Sequence, residues 1–177
     1  GGLIRAHKRP PVSSDSGETV DYGFVGDIDE VDTSIILKQL DNDLIPIISP
    51  LSADESGTLL NINADTVAAA IAVALGAEKL MFATGAAGII ESVDDPRSVI
   101  SYLDVSGLTK LRDEGRLADG MLPKAAAIER ALNGGVPRVH VISYNLADSL
   151  LLEIFTNEGM GTLVVNDIEN LSPAEQG

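Results

Sequence analysis

Short apolar runs and segments with helical periodicity alternate along this chain, and turn-forming residues separate them. The apolar runs predict strands at Leu3–Arg9, Asp21–Asp27, Leu44–Ile48, Lys79–Ala83, Arg138–Ser143 and Thr162–Val165. The 3.6-residue pattern predicts helices within Val31–Asp43, after Asn61–Asp65, and over Gly107–Glu114, Lys124–Leu132 and Ala147–Phe155. Repeated strand–helix alternation predicts an α/β fold of three layers, with a mainly parallel open sheet and helices on both faces.

The turn signals sharpen this outline. The proline- and serine-rich stretch 10–17 predicts a hairpin-like excursion between the first two strands. Asp32 or Thr33 is placed to cap the first helix, and Gly76 to end the alanine-rich second helix. Pro123 suits the first position of the helix that contains Lys124.

Length suits one lobe. The chain has 177 residues, of which 45% are apolar, enough to bury a core. We expect residues 1–165 to form one nucleotide-binding lobe and residues 166–177 a polar tail or linker. Since the sequence begins at Gly1 without a methionine, we also expect it to be a piece of a longer protein.

Charge narrows the classes of partner. Asp and Glu total 27 against 12 Lys and Arg, a net charge of -15. This charge disfavours binding to nucleic acid and to anionic membrane surfaces. The absence of cysteine excludes disulfides and thiolate chemistry and is compatible with a cytoplasmic protein.

The segment Asn61–Asp65 places two amides and a carboxylate at the start of a helix that is too apolar for the surface. A carboxylate there is favoured by the helix dipole, so Asp65 could simply cap the helix beside Asn63. The alternative is a ligand site, because Asn61 and Asp65 would lie where a buried helix meets solvent.

Lys124 stands at a predicted helix start, where the dipole disfavours a cation unless an anion is near. This position indicates a phosphate partner, although a solvated surface lysine is the plain alternative. The small residues of Thr84–Gly88 would let backbone amides approach a phosphate or a base, but they match neither the P-loop nor the dinucleotide-binding pattern. His7 and His140 are too few and too distant in sequence to predict a metal site, and none is expected.

Several segments, taken in order, resemble the carboxy-terminal, nucleotide-binding half of the acetylglutamate kinases, in the amino acid kinase family. They are Gly1-Gly2-Leu3-Ile4-Arg5, Gly23-Phe24-Val25-Gly26-Asp27, Asn61-Ile62-Asn63-Ala64-Asp65, Ala77-Glu78-Lys79-Leu80, Gly120-Met121-Leu122-Pro123-Lys124, and Leu151-Leu152-Glu153-Ile154-Phe155-Thr156 with Gly159-Met160-Gly161-Thr162. The resemblance implies transfer of the terminal phosphoryl group of ATP, carried with Mg²⁺, to the side-chain carboxylate of N-acetylglutamate in arginine biosynthesis. It also implies a homo-oligomer.

The same resemblance implies roles for particular residues. Asn61 would hold the N-acetylglutamate, Asp65 would organise the catalytic groups, and Lys124 would stabilise charge on the transferring phosphoryl group. The nucleotide would be bordered by Gly85, Ala86, Ala87, Gly88, Ile89 and Ile90, and by Arg116, Leu117 and Ala118. In arginine-sensitive relatives the region of Glu153 and Gly159 contributes to an effector site.

Two departures from the family pattern bear on activity. The family usually has an aspartate where this chain has Gly85, which removes one polar contact on the nucleotide side. The family's amino-terminal half, with its glycine-rich loop and second catalytic lysine, is not in these residues. We therefore expect this chain alone to be inactive.

Two alternatives stay open at this stage. The segment Arg138–Tyr144 also resembles the kinase-like domain of N-acetylglutamate synthase, for which the polar tail would be a linker to an acetyltransferase. The second alternative is a non-catalytic module that binds an amino acid such as arginine near Glu153.

Overall fold

A computed structural model describes residues 2–13, 17–92, 94–156 and 159–168. The chain has an α/β fold, as predicted, and divides into two compact units, Gly1–Leu75 and Gly76–Gly177. The assignment of residues 1–165 to one nucleotide-binding lobe stays a prediction. Within the predicted tail, only residues 166–168 are described; Gly1, residues 14–16 of the predicted turn and residues 169–177 of the tail lie outside the described part of the chain.

The first unit is built on a four-stranded sheet of order β4-β1-β5-β6. Its strands and helices are β1 Ile4–Lys8, β2 Val12–Ser13, β3 Thr19–Val20, β4 Gly26–Val31, α1 Ser34–Leu40, β5 Leu51–Ala53, β6 Leu59–Asn61 and α2 Ala64–Leu75. β1 pairs antiparallel with β4 and parallel with β5, and β5 pairs antiparallel with β6. Antiparallel pairing therefore predominates in this sheet, whereas the sequence pattern predicts mainly parallel strands.

The core of this unit joins alternate residues of the sheet to α2. Its buried members are Ile4, Ala6, Leu60, Ile62 and Val67. Alternation explains the choice on β1, because residues two apart along a strand face the same side of its sheet. Close packing explains the glycine at position 26, because a Cβ there would lie only 2.9 Å from the Cβ of Leu60.

Three local predictions in this unit change. The strand predicted at Asp21–Asp27 corresponds to β4, which begins only at Gly26. The residues before it form a turn, in which the Asp21 carboxylate accepts the Gly23 amide at 2.8 Å. The predicted buried strand Leu44–Ile48 is wrong: Ile45 and Ile47 are 90% and 96% exposed and no described strand pairs with the segment. A strand needs a partner for its backbone groups as well as apolar side chains. The short strands β5 and β6 were not predicted.

Asn63 starts α2. Its side-chain Oδ1 accepts the Thr66 amide at 3.0 Å, a bond typical of a helix cap. At the other end, Gly76 has φ of 61°, a left-handed conformation that glycine adopts without strain. The predicted start and end of this helix are confirmed, and the capping oxygen belongs to Asn63.

The second unit contains a four-stranded sheet of order β10-β12-β11-β7. Its elements are β7 Lys79–Thr84, β8 Ile90–Ser92, β9 Asp95–Val99, β10 Tyr102–Asp104, α3 Val105–Asp113, α4 Leu122–Asn133, β11 Arg138–Ser143, α5 Ser149–Phe155 and β12 Thr162–Val165. Two of its three pairings, β11 with β7 and β10 with β12, are parallel, and β11 with β12 is antiparallel. The predicted parallel character is confirmed here.

β11 is the central strand of this unit. Five of its six residues are buried, and both α4 and α5 contact it. Side chains on both faces are therefore covered, which explains the continuous apolar run in the sequence. Pro123 lies at the beginning of α4, as its missing amide and fixed φ favour.

One polar pair is buried among these apolar contacts. His140 of β11 lies with its Nδ1 atom 2.6 Å from Oε1 of Glu153 on α5. The second carboxylate oxygen of Glu153 accepts the backbone amide of Met160 at 2.7 Å. The bond from His140 holds the pKa of the Glu153 carboxyl below its ordinary value of 4.5, and the Met160 amide lowers it further. One carboxylate thus fastens α5 to the sheet and to the segment before β12.

No helix in the described part of the chain has the length and hydropathy that a membrane span requires.

We predict that Glu153→Gln destabilises the chain in a pH-dependent way. Above about pH 5 the variant loses charge-assisted hydrogen bonds, at a cost of roughly 1.5–3 kcal/mol. Since the folded-state pKa of Glu153 is lowered, this contribution is present above 4.5 and is lost as the pH falls below that value. The measurement is thermal unfolding by circular dichroism between pH 3 and pH 8.

Glu78→Gln is the matched control, because Glu78 is exposed. It should leave stability nearly unchanged at every pH. A Glu153→Gln deficit that stays constant down to pH 3 would show that the ionised carboxylate is not what holds α5.

Candidate functional site

The ends of β7 and β11 lie side by side. The two strands pair in parallel with Thr84 opposite Ser143, and both strands end there. Loops that leave neighbouring parallel strands at the same edge commonly enclose a ligand. A cleft of about 430 Å³ opens at this edge.

The cleft combines one predicted loop with residues that sequence reasoning missed. Among the predicted nucleotide residues, Gly85, Ala86, Ala87 and Ile90 line it. The other lining residues are Ser143, Asn145, Leu146 and Met160. The rule applied to the end of β7 applies equally to the end of β11, so Ser143–Leu146 could have been found; nothing in the sequence pattern places Met160 here.

Gly88 and Ile89 belong to the same loop but do not line the described cleft. Ile89 is fully buried, and its backbone amide donates to Oγ1 of Thr162 at 2.8 Å. A Cβ at Gly88 would lie 2.7 Å from the same oxygen. The loop therefore requires glycine at position 88, and the buried Thr162 hydroxyl anchors it to β12.

The segment Arg116–Ala118 lies beside the far end of this loop. Arg116 donates to the backbone carbonyl of Glu91 at 2.9 Å, one residue beyond Ile90. Leu117 is buried and Ala118 is exposed. None of the three lines the described cleft, and their contact with a nucleotide stays a prediction.

Lys124 occupies the first turn of α4 and is buried, with 8% of its surface exposed. Its Nζ atom lies 4.7 Å from the centroid of the Phe82 ring, on β7. The ring's negative face offsets part of the unfavourable helix dipole and lost hydration. The surface-lysine alternative is therefore excluded, and the ammonium is held close to the strand that leads into the cleft.

The candidate substrate residues lie in the first unit. Asn61 is exposed at the end of β6, and its backbone amide donates to Phe24 at 2.8 Å. Asp65 is half-buried in the first turn of α2. The capping oxygen that accepts the Thr66 amide belongs to Asn63, and the Asp65 carboxylate lies in the first turn, where the helix dipole favours it. Asn61 and Asp65 thus flank the helix start, and their assigned roles stay predictions.

The candidate effector residues lie next to the cleft lining. Glu153 is 9% exposed, and both of its carboxylate oxygens are engaged, by His140 and by the Met160 amide. Gly159 directly precedes Met160. A direct contact between Glu153 and an effector would have to replace one of these bonds, and the effector assignment stays a prediction.

Among the described residues, no group of three or more His, Cys, Asp or Glu side chains is arranged to hold a metal ion.

Known proteins with similar sequences are acetylglutamate kinases. The acetylglutamate kinase of Myxococcus xanthus is 47% identical over 171 residues, which cover 94% of this chain and 56% of that protein. The acetylglutamate kinase of Symbiobacterium thermophilum is 46% identical over 164 residues, covering 93% and 56%. The chain thus spans just over half the length of these relatives.

Solved structures give the same fold. The N-acetylglutamate synthase of Neisseria gonorrhoeae, crystallised with coenzyme A and L-arginine, superposes with a TM-score of 0.81 at 29% identity, covering 94% of this chain and 37% of that chain. Aspartokinase III of E. coli superposes with a TM-score of 0.64 at 20% identity, covering 96% and 34%, and at that identity the likeness concerns the fold alone. The family model described as the amino acid kinase family matches residues 2–143. Since this match covers most of the sequence, the chain belongs to the amino acid kinase family.

Proposed function

We propose that this chain is the nucleotide-binding part of an acetylglutamate kinase, which transfers the terminal phosphoryl group of ATP to the side-chain carboxylate of N-acetylglutamate. The proposal goes beyond membership of the amino acid kinase family, and it is supported by the 47% sequence identity to the acetylglutamate kinase of Myxococcus xanthus. It includes the place of that reaction in arginine biosynthesis. The absence of cysteine fits a cytoplasmic location, and the resemblance favours a homo-oligomer.

The buried Lys124 is the observation that carries the proposal. Its ammonium group lies at a helix start and over the Phe82 ring, and the side chain is only 8% exposed. A bound anion would stabilise a positive charge in this position, because the helix dipole disfavours it and little water surrounds it. In phosphoryl transfer, negative charge spreads over the oxygens of the transferred group, so a pre-placed cation stabilises the transition state. A lysine is suited to this because it is a compact point charge.

The cleft would hold the adenine base of ATP. Its walls are largely apolar, from Ile90, Leu146 and Met160, and the small residues Gly85 and Ala86 leave the backbone accessible. Sites for flat cofactors have this composition, with few polar groups to fix orientation. The base would bind at the edge shared by β7 and β11, and the phosphates would extend toward Lys124.

Asn61 and Asp65 supply the remaining roles. The Asn61 carboxamide can both donate to and accept from an acylated amino acid, which carries a carboxylate and an amide. Asp65, as a carboxylate, can hold the donors around the transferred group in position through hydrogen bonds. Mg²⁺ would neutralise the phosphates.

The kinase-like domain of a synthase is the weaker alternative. The synthase of Neisseria gonorrhoeae is 29% identical, against 47% for the kinase of Myxococcus xanthus over a similar share of this chain. A domain that transfers no phosphoryl group also has no chemical need for a buried lysine at Lys124.

The proposal also includes arginine as an effector of the enzyme. The synthase crystallised with L-arginine shares this fold, and Glu153 with Gly159 adjoins Met160 of the cleft. Binding there would act on the nucleotide through Met160.

We predict that Lys124→Met lowers kcat of the whole enzyme by about 10²–10³-fold, as expected when one stabilising group for transition-state charge is removed. Methionine keeps the length and the contact with Phe82, so the unfolding temperature should change little. Steady-state kinetics with Mg-ATP and N-acetylglutamate provide the measurement. Lys110→Met, at an exposed lysine of α3, is the control and should retain full activity. Equal activity of the two variants would remove Lys124 from the reaction.

A pair of variants separates the two roles at the start of α2. Asp65→Asn should reduce kcat about 10²-fold through misplaced catalytic groups, with a small effect on stability. Asn63→Ala should cost about 1 kcal/mol of stability through the lost cap, with kcat nearly retained. Kinetics and chemical denaturation of both variants test this. The opposite pattern would assign Asp65 to the helix cap alone.

We predict that the chain binds Mg-ATP in calorimetric titration. Titration with L-arginine tests the regulatory part of the proposal: binding that is lost in Glu153→Gln, while circular dichroism shows the variant to be folded at the temperature of the titration, supports it. Arginine binding without any nucleotide binding would instead favour the amino-acid-binding module over the kinase.

A further inference from the structure

Few polar side chains line the cleft. Only two of its described lining residues, Ser143 and Asn145, carry polar side chains. Ser143 is buried, and its hydroxyl oxygen accepts the backbone amide of Asn145 at 3.2 Å. Ser143 therefore shapes the turn after β11, and Asn145 is the exposed polar side chain of the lining.

The orientation of the Asn145 carboxamide follows from its partner. Its Nδ2 atom lies 3.0 Å from the backbone carbonyl oxygen of Gly85. A carbonyl oxygen can only accept, so the amide nitrogen must be on this side. The opposite atom, Oδ1, receives no hydrogen bond from any described residue. Asn145, an exposed lining residue of the cleft, thus has a carboxamide oxygen whose side is fixed by the bond to Gly85.

Gly85 and the turn after β11 are matched to each other. The Tyr144 amide donates to the carbonyl of Thr84 at 2.9 Å, which continues the strand pairing into the turn. A Cβ at Gly85 would lie 3.0 Å from the Tyr144 hydroxyl, a close contact with the end of an exposed side chain. The backbone carbonyl of Gly85 in turn accepts the Asn145 carboxamide, so the loop after β7 and the turn after β11 are joined by two hydrogen bonds.

We propose that Asn145 reads the base of the nucleotide: its Oδ1 accepts a hydrogen bond from the exocyclic amino group of adenine, and this selects a 6-amino over a 6-oxo purine. The inference rests on the proposed binding of a nucleotide in this cleft. Adenine presents a donor at its 6-position, whereas guanine and hypoxanthine present an acceptor. Two acceptors facing each other cannot bond, and the mismatch leaves both without a partner.

The apolar walls support a flat aromatic occupant. Ile90, Leu146 and Met160 provide aliphatic and thioether surface, which packs well on a ring face. Met160 is held in place because its amide is bonded to the buried Glu153. Apolar packing is indifferent to the 6-substituent, so discrimination would come from Asn145.

Mg-ATP and Mg-ITP form the sharpest pair of probes. ITP differs from ATP only in the 6-oxo group and the N1 proton that accompanies it. In calorimetric titrations of the full 177-residue chain, we expect ATP to bind about 10–100-fold more tightly than ITP. In Asn145→Leu, ATP should weaken to the affinity of ITP while ITP stays nearly unchanged.

Asn133→Leu provides the matched control, since Asn133 is exposed at the end of α4. It should keep the wild-type preference, and circular dichroism of both variants verifies folding. Equal binding of ATP and ITP by the wild type, or a preference that survives in Asn145→Leu, would overturn the role of Asn145 while the kinase proposal stands. A wild-type chain that binds neither nucleotide would overturn both.

Discussion

The parallel pairing of β7 with β11 is the constraint on which the candidate nucleotide site depends. The register runs from Lys79 opposite Arg138 to Thr84 opposite Ser143, so both strands end at the same level. Each strand is followed by a loop of small or polar residues, and the shared register brings these loops together. A shift by one residue would turn every side chain of one strand to the opposite face. It would thereby separate Gly85 from Asn145.

Hydrogen bonds from side chains then hold the loops to the sheet. The Thr162 hydroxyl receives the Ile89 amide, the Glu153 carboxylate receives the Met160 amide, and the Asn145 carboxamide donates to Gly85. Thr162 and Glu153 are buried, where an unmade hydrogen bond costs more than at the surface. These bonds hold the loop backbone in place without a ligand, a form of preorganisation that reduces the entropic cost of binding.

Much of the outline could be predicted from pattern alone. The ends of α2, the strand β11 and the helix behind Pro123 follow from apolar periodicity, caps and proline stereochemistry, all of which are local properties. The Leu44–Ile48 run misled the prediction because its composition is that of a buried strand, but no described strand pairs with it. β5 and β6 were missed since strands of three residues carry too little periodicity to be recognised.

By itself, the sequence determined the α/β class, the small-residue loop after β7 and the position of Lys124 at a helix start. These features depend on residues that are neighbours in the chain. Only the tertiary structure decided that Lys124 lies over Phe82, that Asn145 bonds to Gly85, and that Thr162 anchors Ile89. The last two contacts join residues 60 and 73 positions apart. Such contacts depend on the register between distant strands, which local hydrophobic patterns do not report.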